Sequence, residues 1–167
     1  QTVLVPALGN HEYFGGPGEL GQYSPEHSER AVRKYQTYFD LPVNHADHAW
    51  LEERYYALRY GVVTLIVLDT NDGLPDGSAM DTNWGLRGAA DGGYAPDWQQ
   101  GSGQYVWLEE ALQQAQQTSR FTFVMSHGSP YTSGVHGRPP GATRGRDKLS
   151  ARPLQALTPL FMRYGVD

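Results

Sequence analysis

The chain has 167 residues and no cysteine, so any bound metal must be held by nitrogen and oxygen ligands. Its only lysines are Lys34 and Lys148, and its formal net charge is -5. A nucleic-acid backbone demands clustered basic side chains, so this composition argues against nucleic acid as a main partner. No apolar run approaches the length of a membrane span, and we therefore expect none.

Short apolar runs and helical periodicity alternate along the chain, and at this length they predict one domain with a core. Strands are predicted at Val3–Leu8, Tyr55–Tyr60, Val62–Leu68 and Phe121–Ser126, the middle two forming a hairpin at Gly61. Helices are predicted from a Ser24 cap to about Phe39, from a Ser102 cap over about Gly103–Thr118, and from Ser150 to Gly165, with a restart or kink at Thr158-Pro159.

The first predicted strand is followed by Gly9 to Glu12, which read Gly-Asn-His-Glu. Gly9 lets the backbone turn, so that Asn10 and His11 project from the carboxyl end of the strand, where open α/β sheets usually bind ligands. An amide oxygen and an imidazole nitrogen are both credible metal ligands. Taken alone, the pattern also fits an ordinary structural turn, which is the commoner case.

A second polar residue of this kind, His127, follows the strand predicted at Phe121–Ser126. Two strands that both end in potential ligands suggest one shared site, because ligands gather at the carboxyl edge of such sheets. We therefore expect Asn10 and His127 to converge.

Gly9 to Glu12, followed by Val124 to His127, resembles the calcineurin-like metallophosphoesterases, and among them the purple acid phosphatase-like branch. The intermediate segments agree: Tyr55–Gly61, Leu65–Asp69, and Gln104 with Trp107-Leu108. The resemblance runs along nearly the whole chain except about Asn71 to Gly103. It implies an α/β fold, in which a two-sheet β-sandwich is flanked by helices.

The motifs that usually open and close this family, Asp-x-His, Gly-Asp and Gly-His-x-His, are absent. Residues 1–167 are therefore expected to form the central part of a single metallophosphoesterase domain, incomplete at both ends. The remaining polypeptide of the same domain would be its partner, and this chain by itself is expected to be inactive. An extracellular or periplasmic location is slightly favoured.

The resemblance implies that the intact protein hydrolyses phosphoesters, monoesters ahead of diesters, with water activated between two divalent or mixed-valence ions of iron, zinc or manganese. Carried over, Asn10 and His127 would bind one metal, and His11 would face the phosphorylated substrate as general acid or as a charge stabiliser. Glu12 would orient these neighbours by hydrogen bonds. The alternative is a non-catalytic scaffold or binding protein of the same fold.

Other polar residues are weaker candidates. His136 matches a substrate-contacting histidine in the loop that follows the second strand end, and it equally fits an exposed loop histidine. His45 and His48 resemble a metal cluster, but no predicted strand fixes them, which favours solvated loop residues. Asp69 ends a predicted strand and most simply caps the following turn.

Overall fold

The computed structural model describes residues 4–13, 25–46, 49–71, 95–131 and 152–167, without the side chains of residues 10, 11, 25–28, 50, 152 and 153. In these ranges no helix has both the length and the apolar character needed to cross a lipid bilayer.

A β-hairpin forms the first part of the sheet. Strand β1 (Tyr56–Tyr60) pairs antiparallel with β2 (Val63–Val67), with Tyr60 opposite Val63. Gly61 opens the two-residue turn at a φ of 60°, a left-handed conformation that glycine adopts at little cost. The predicted hairpin is confirmed.

The helix α2 (Gly103–Thr118) carries the chain from β2 to the third strand. Its N-cap is Ser102, whose side chain accepts a hydrogen bond from the Tyr105 N–H at 3.2 Å. Strand β3 (Phe121–Met125) then lies parallel to β2, giving the sheet order β1-β2-β3. Because β2 and β3 run in the same direction, their carboxyl ends reach the same edge.

Three helices cover one face of this sheet. They are α2, α3 (Arg152–Gln155) and α4 (Thr158–Arg163), the last with Pro159 in its first turn. Gly165 ends α4 at a φ of 61°, and the Val166 N–H donates to the Phe161 carbonyl at 3.0 Å. The core between these helices and the sheet contains Ile66, Leu68, Trp98, Leu108, Leu112, Leu154, Leu157 and Leu160.

A second apolar cluster lies around the first helix, α1 (Pro25–Tyr38). Val32 and Tyr35 of α1 pack there with Leu8, Tyr13 and Ala95. The predicted extent of α1 is confirmed to within one residue at its end; the proposed caps Ser24 and Ser150 lie outside the described residues.

The strand predicted at Val3–Leu8 is wrong for the residues that the structure describes. Residues 4–9 form no strand, and Leu4 is 71% exposed. Pro6 has no N–H to give to a strand ladder, and its carbonyl accepts the hydroxyls of Tyr56 at 2.5 Å and Tyr35 at 3.4 Å. Side chains, rather than a neighbouring strand, therefore hold this segment.

The described residues thus form a mixed α/β structure with one three-stranded sheet. The α/β class predicted from the sequence agrees with this architecture. The two-sheet sandwich is a finer expectation that one sheet does not test.

Candidate functional site

The Gly-Asn-His-Glu segment forms a single 3-10 turn, Asn10–Tyr13. The Glu12 N–H donates to the Gly9 carbonyl at 3.1 Å, and Glu12 Oε2 accepts the Gly9 N–H at 2.8 Å. Gly9 is the residue that caps the turn, and Glu12 is the glutamate that reaches back to it, as in half of a capping box. Glu12 was expected to orient its neighbours by hydrogen bonds. In the structure its carboxylate accepts the Gly9 N–H and so closes the turn.

His127 lies directly against this turn. A Cβ placed on Gly9 would stand 2.8 Å from His127 Nδ1, 3.0 Å from His127 Cε1 and 2.9 Å from Glu12 Oε2. The imidazole and the carboxylate therefore flank the same point above the Gly9 backbone. His127 itself is exposed, so its ring remains open to solvent. Two segments from distant parts of the sequence are brought together here.

The position of His127 follows from the end of β3. The Leu68 N–H donates to the Met125 carbonyl at 2.9 Å, which extends the pairing of β2 and β3 up to the site edge. The Ser126 hydroxyl then donates to the Gly128 carbonyl at 2.8 Å, so the chain turns immediately around His127.

Not all of the predicted site residues can be placed. The side chains of Asn10 and His11 lie outside the described part of the structure, although their backbone belongs to the turn beside His127. His136 and His48 also lie outside the described residues. His45 is exposed in a loop at a φ of 54°.

A buried carboxylate, Asp69, lies at the end of β2 and connects to the same turn. Its Oδ2 accepts the Tyr13 hydroxyl, and its Oδ1 accepts the Asn71 N–H at 3.2 Å and the Asn71 side-chain amide at 2.8 Å. The predicted capping of the following turn is thus present, through Asn71. The bond to Tyr13 is an additional contact that the sequence did not reveal.

Arg54 completes this network from the other side of Tyr13. Its guanidinium carbon lies 5.7 Å from the Tyr13 ring centroid, and its Nη1 donates to the Tyr13 hydroxyl at 3.4 Å. Burial raises the pKa of Asp69, and the positive charge of Arg54 opposes that rise. Burial also raises the pKa of Tyr13 well above its usual value, and the neighbouring Asp69 carboxylate adds to the shift.

Gln104, in the first turn of α2, fixes the backbone of Asp69. Gln104 Oε1 accepts the Asp69 N–H at 2.9 Å, and Gln104 Nε2 donates to the Asp69 carbonyl at 2.8 Å. Both residues are almost fully buried, so these bonds satisfy two backbone groups that water does not reach. Gln104 lies on the buried face of α2, four residues before Leu108, and the sequence did not reveal which groups this polar side chain would bond.

An open cleft of about 1170 Å³ lies between the loop at residues 42–46 and the start of α2, with Tyr55 and Trp107 among its lining residues. Among the residues whose side chains the structure describes, neither Glu12 and Tyr13 of the 3-10 turn nor His127 borders it. Gln104 borders it, so this residue connects the cleft to Asp69.

The residues beside His127 are of types that can bind a metal ion. His127 offers an imidazole nitrogen, and the turn beside it carries an asparagine and a glutamate. Nitrogen and oxygen donors are the ligands that zinc, iron and manganese accept in proteins. Among the described residues, no three His, Asp or Glu side chains lie together as a ligand set.

Comparisons of this chain with protein-family models, with curated proteins and with solved structures found no match.

Proposed function

We propose that this chain is the central part of a metallophosphoesterase domain of the calcineurin-like, purple acid phosphatase-like kind. The contact between His127 and Gly9 carries the proposal, since the resemblance rests on these two segments and requires them to meet. The parallel pairing of β2 and β3 is compatible with it, because it brings Asp69, just after β2, and His127, just after β3, to the carboxyl edge of the sheet, where such folds bind ligands.

In this proposal each residue of the site has one task. Asn10 and His127 hold one metal ion, and Glu12 keeps the turn closed by accepting the Gly9 N–H. Metal ions in such a site lower the pKa of bound water and clamp the attacking and leaving oxygens. His11 donates a proton to the leaving oxygen of the phosphoester, or stabilises the charge that develops there.

The proposal extends to the fold. On the sheet face away from α2, α3 and α4, Tyr56 and Val67 are buried, but the following apolar residues of that face are only partly covered: Leu58, Tyr60, Val63, Leu65, Phe121 and Phe123. Tyr60 is 87% exposed and Phe123 is 43% exposed. Natural proteins cover apolar faces of this kind, so we propose that further polypeptide packs here as the second sheet of a sandwich. An 18.5 kDa species that is monomeric and well folded in solution would contradict this.

The catalytic assignment is tested in the intact protein by His127→Ala and His11→Ala. The first should lose metal, and with it activity on every substrate. The second should keep its metal and lose activity mainly on an alkyl phosphate, because a nitrophenyl leaving group needs little protonation. General acid catalysis is typically worth about 10²–10⁴ in rate. The measurements are kcat/KM for both phosphates and the metal content of each variant.

The control is His45→Ala, since His45 is an exposed histidine on a loop and is not expected to take part. If His11→Ala loses its metal, His11 is a ligand. If it slows both substrates equally, it acts on charge rather than on the leaving group. Intact protein that binds metal and hydrolyses neither phosphate would favour the scaffold alternative.

A further inference from the structure

The turn that carries Asn10 and His11 is held in place without a strand ladder. Leu8, just before it, is fully buried, although residues 4–9 form no strand. Before the turn, the Asn71 side-chain amide donates to the Leu8 carbonyl at 3.0 Å. At the last residue of the turn, the Tyr13 hydroxyl donates to the Asp69 carboxylate. Hydrogen bonds therefore hold the chain both before and after Asn10 and His11, the two residues of the turn that the proposed chemistry uses.

The hydrogen bonds on both sides of the turn lead to one carboxylate, that of Asp69. The Asn71 amide that bonds to Leu8 also donates to Asp69 Oδ1 at 2.8 Å, while Tyr13 bonds to Asp69 Oδ2. Each oxygen of Asp69 thus fixes one side of the turn. Hydrogen bonds to a carboxylate are stronger than those between neutral groups, and burial away from water strengthens them further.

Asp69 is itself held rigidly. Its side chain is 0% exposed, and both its N–H and its carbonyl are bonded to Gln104 of α2. The same strand end is joined to β3, because the Leu68 N–H donates to the Met125 carbonyl two residues before His127. Asp69 therefore connects the turn to the part of the sheet that delivers His127.

We infer that Asp69 and Tyr13 are positioning residues, which set the Asn10–Tyr13 turn at the distance from His127 that the site requires. Neither residue needs to touch metal or substrate for this role. The part of the inference that concerns metal binding and catalysis rests on the proposed function. The part that concerns the placement of the turn does not.

The test is Tyr13→Phe, which removes the hydroxyl that bonds to Asp69 and Arg54 and keeps the ring in its apolar cluster. The matched control is Tyr56→Phe. Tyr56 is also a buried residue, and its hydroxyl donates to the Pro6 carbonyl, upstream of the turn, in a partly buried bond. Both variants lose one hydrogen-bonded tyrosine hydroxyl, but only Tyr13→Phe releases the turn from Asp69.

The first readout is independent of activity. In Tyr13→Phe, the Gly9 and Glu12 amides should exchange with solvent at least about tenfold faster, because the turn opens more often. The NMR signals of the His127 ring should also shift. In Tyr56→Phe, both should remain as in the unaltered protein. Unchanged amide exchange and an unchanged His127 signal in Tyr13→Phe would overturn the inference.

The second readout is Zn²⁺ affinity together with kcat and KM for nitrophenyl phosphate. Loss of a group that orients metal ligands typically costs about 10–100-fold in affinity or activity, and Tyr13→Phe should fall in that range. Asp69→Asn keeps an oxygen that can accept the Tyr13 hydroxyl, so it should retain more Zn²⁺ affinity than Asp69→Ala. Equal losses in both Asp69 variants would overturn the inference.

The two proposals fail in different ways. If the unaltered protein neither binds Zn²⁺ nor hydrolyses the phosphate, the proposed function fails, and amide exchange alone decides the positioning role. If it does both and Tyr13→Phe behaves like Tyr56→Phe, the positioning role fails and the proposed function stands.

Discussion

Replacement of Gly9 by alanine tests the packing of the site at a single atom. Gly9 does not have a positive φ, so alanine is compatible with its backbone. The new methyl group would nevertheless stand 2.8 Å from His127 Nδ1 and 2.9 Å from Glu12 Oε2, whereas ordinary van der Waals contact begins at 3.4 Å. The imidazole and the carboxylate must both move away by several tenths of an ångström.

The cost of this movement should be small for the fold and large for the site. Overpacking usually costs about 1–3 kcal/mol, and the low end applies here because both neighbours are side-chain ends and His127 is exposed. A displacement of about 1 Å at a reacting centre can lower the rate on the order of 10²-fold. We therefore expect kcat/KM for nitrophenyl phosphate to fall on the order of 10-fold to 100-fold, with partial loss of metal.

The assay combines urea unfolding, kcat/KM and metal content, measured on Gly9→Ala and on Gly103→Ala in the intact protein. Gly103 is the matched control, because a Cβ there would meet no atom within 4 Å. Gly9→Ala with full activity and full metal content would refute the reasoning, since the contact with His127 would then have no consequence. Equal losses in both variants would refute it as well.

Three further outcomes concern stability and pH. Gln104→Leu should lower the free energy of unfolding by about 2–4 kcal/mol, because it leaves the buried N–H and carbonyl of Asp69 without their partners; urea unfolding measures this, with the exposed Gln113→Leu as control. Ser102→Ala should cost about 1 kcal/mol through loss of the N-cap of α2, which thermal unfolding followed by circular dichroism detects. Burial raises the pKa of Tyr56 from 10.0 to about 12, so its stabilising protonated form persists in the folded state. Stability should therefore fall as pH rises from 10 towards 12, and less steeply in Tyr56→Phe; an unaltered slope in that variant would contradict this.

The elements that the sequence predicted correctly are those that local patterns determine. The hairpin of β1 and β2 follows from two β-rich runs around Gly61, and α2 follows from a serine cap and apolar residues at helical spacing. Tyr105, Leu108, Leu112 and Ala115 were expected on one face of α2; the last three are buried, and Tyr105 is partly buried against the same core. In each case the signal lies within one element.

The first strand was predicted wrongly because an apolar run does not specify a strand partner. Leu4 to Leu8 has the composition of a buried strand, but Pro6 interrupts its donors and two tyrosine hydroxyls take the Pro6 carbonyl. Those tyrosines are distant in sequence, so no local pattern could have indicated the competition.

At the site, too, the sequence did not predict contacts between residues that are distant along the chain. The sequence singled out Gly9 to Glu12 and His127, and the structure brings Gly9, Glu12 and His127 into contact. It did not reveal that Tyr13 bonds to Asp69, or that Gln104 holds the Asp69 backbone. A buried polar residue gives no periodic signal, and its partners are fixed only when separate elements pack together.

The way in which the turn is attached has a consequence for the order of folding. Leu8 and Asn71 lie 63 residues apart, and Tyr13 and Asp69 lie 56 apart, whereas the hairpin closes through a two-residue turn. Closing a long loop costs more chain entropy than closing a short one, and distant contacts form more slowly. The β1–β2 hairpin and α2, whose contacts are local, should therefore form before the turn docks. During refolding of the intact protein the helical signal should return ahead of activity, with an interval in which α2 is formed and the turn is not yet docked.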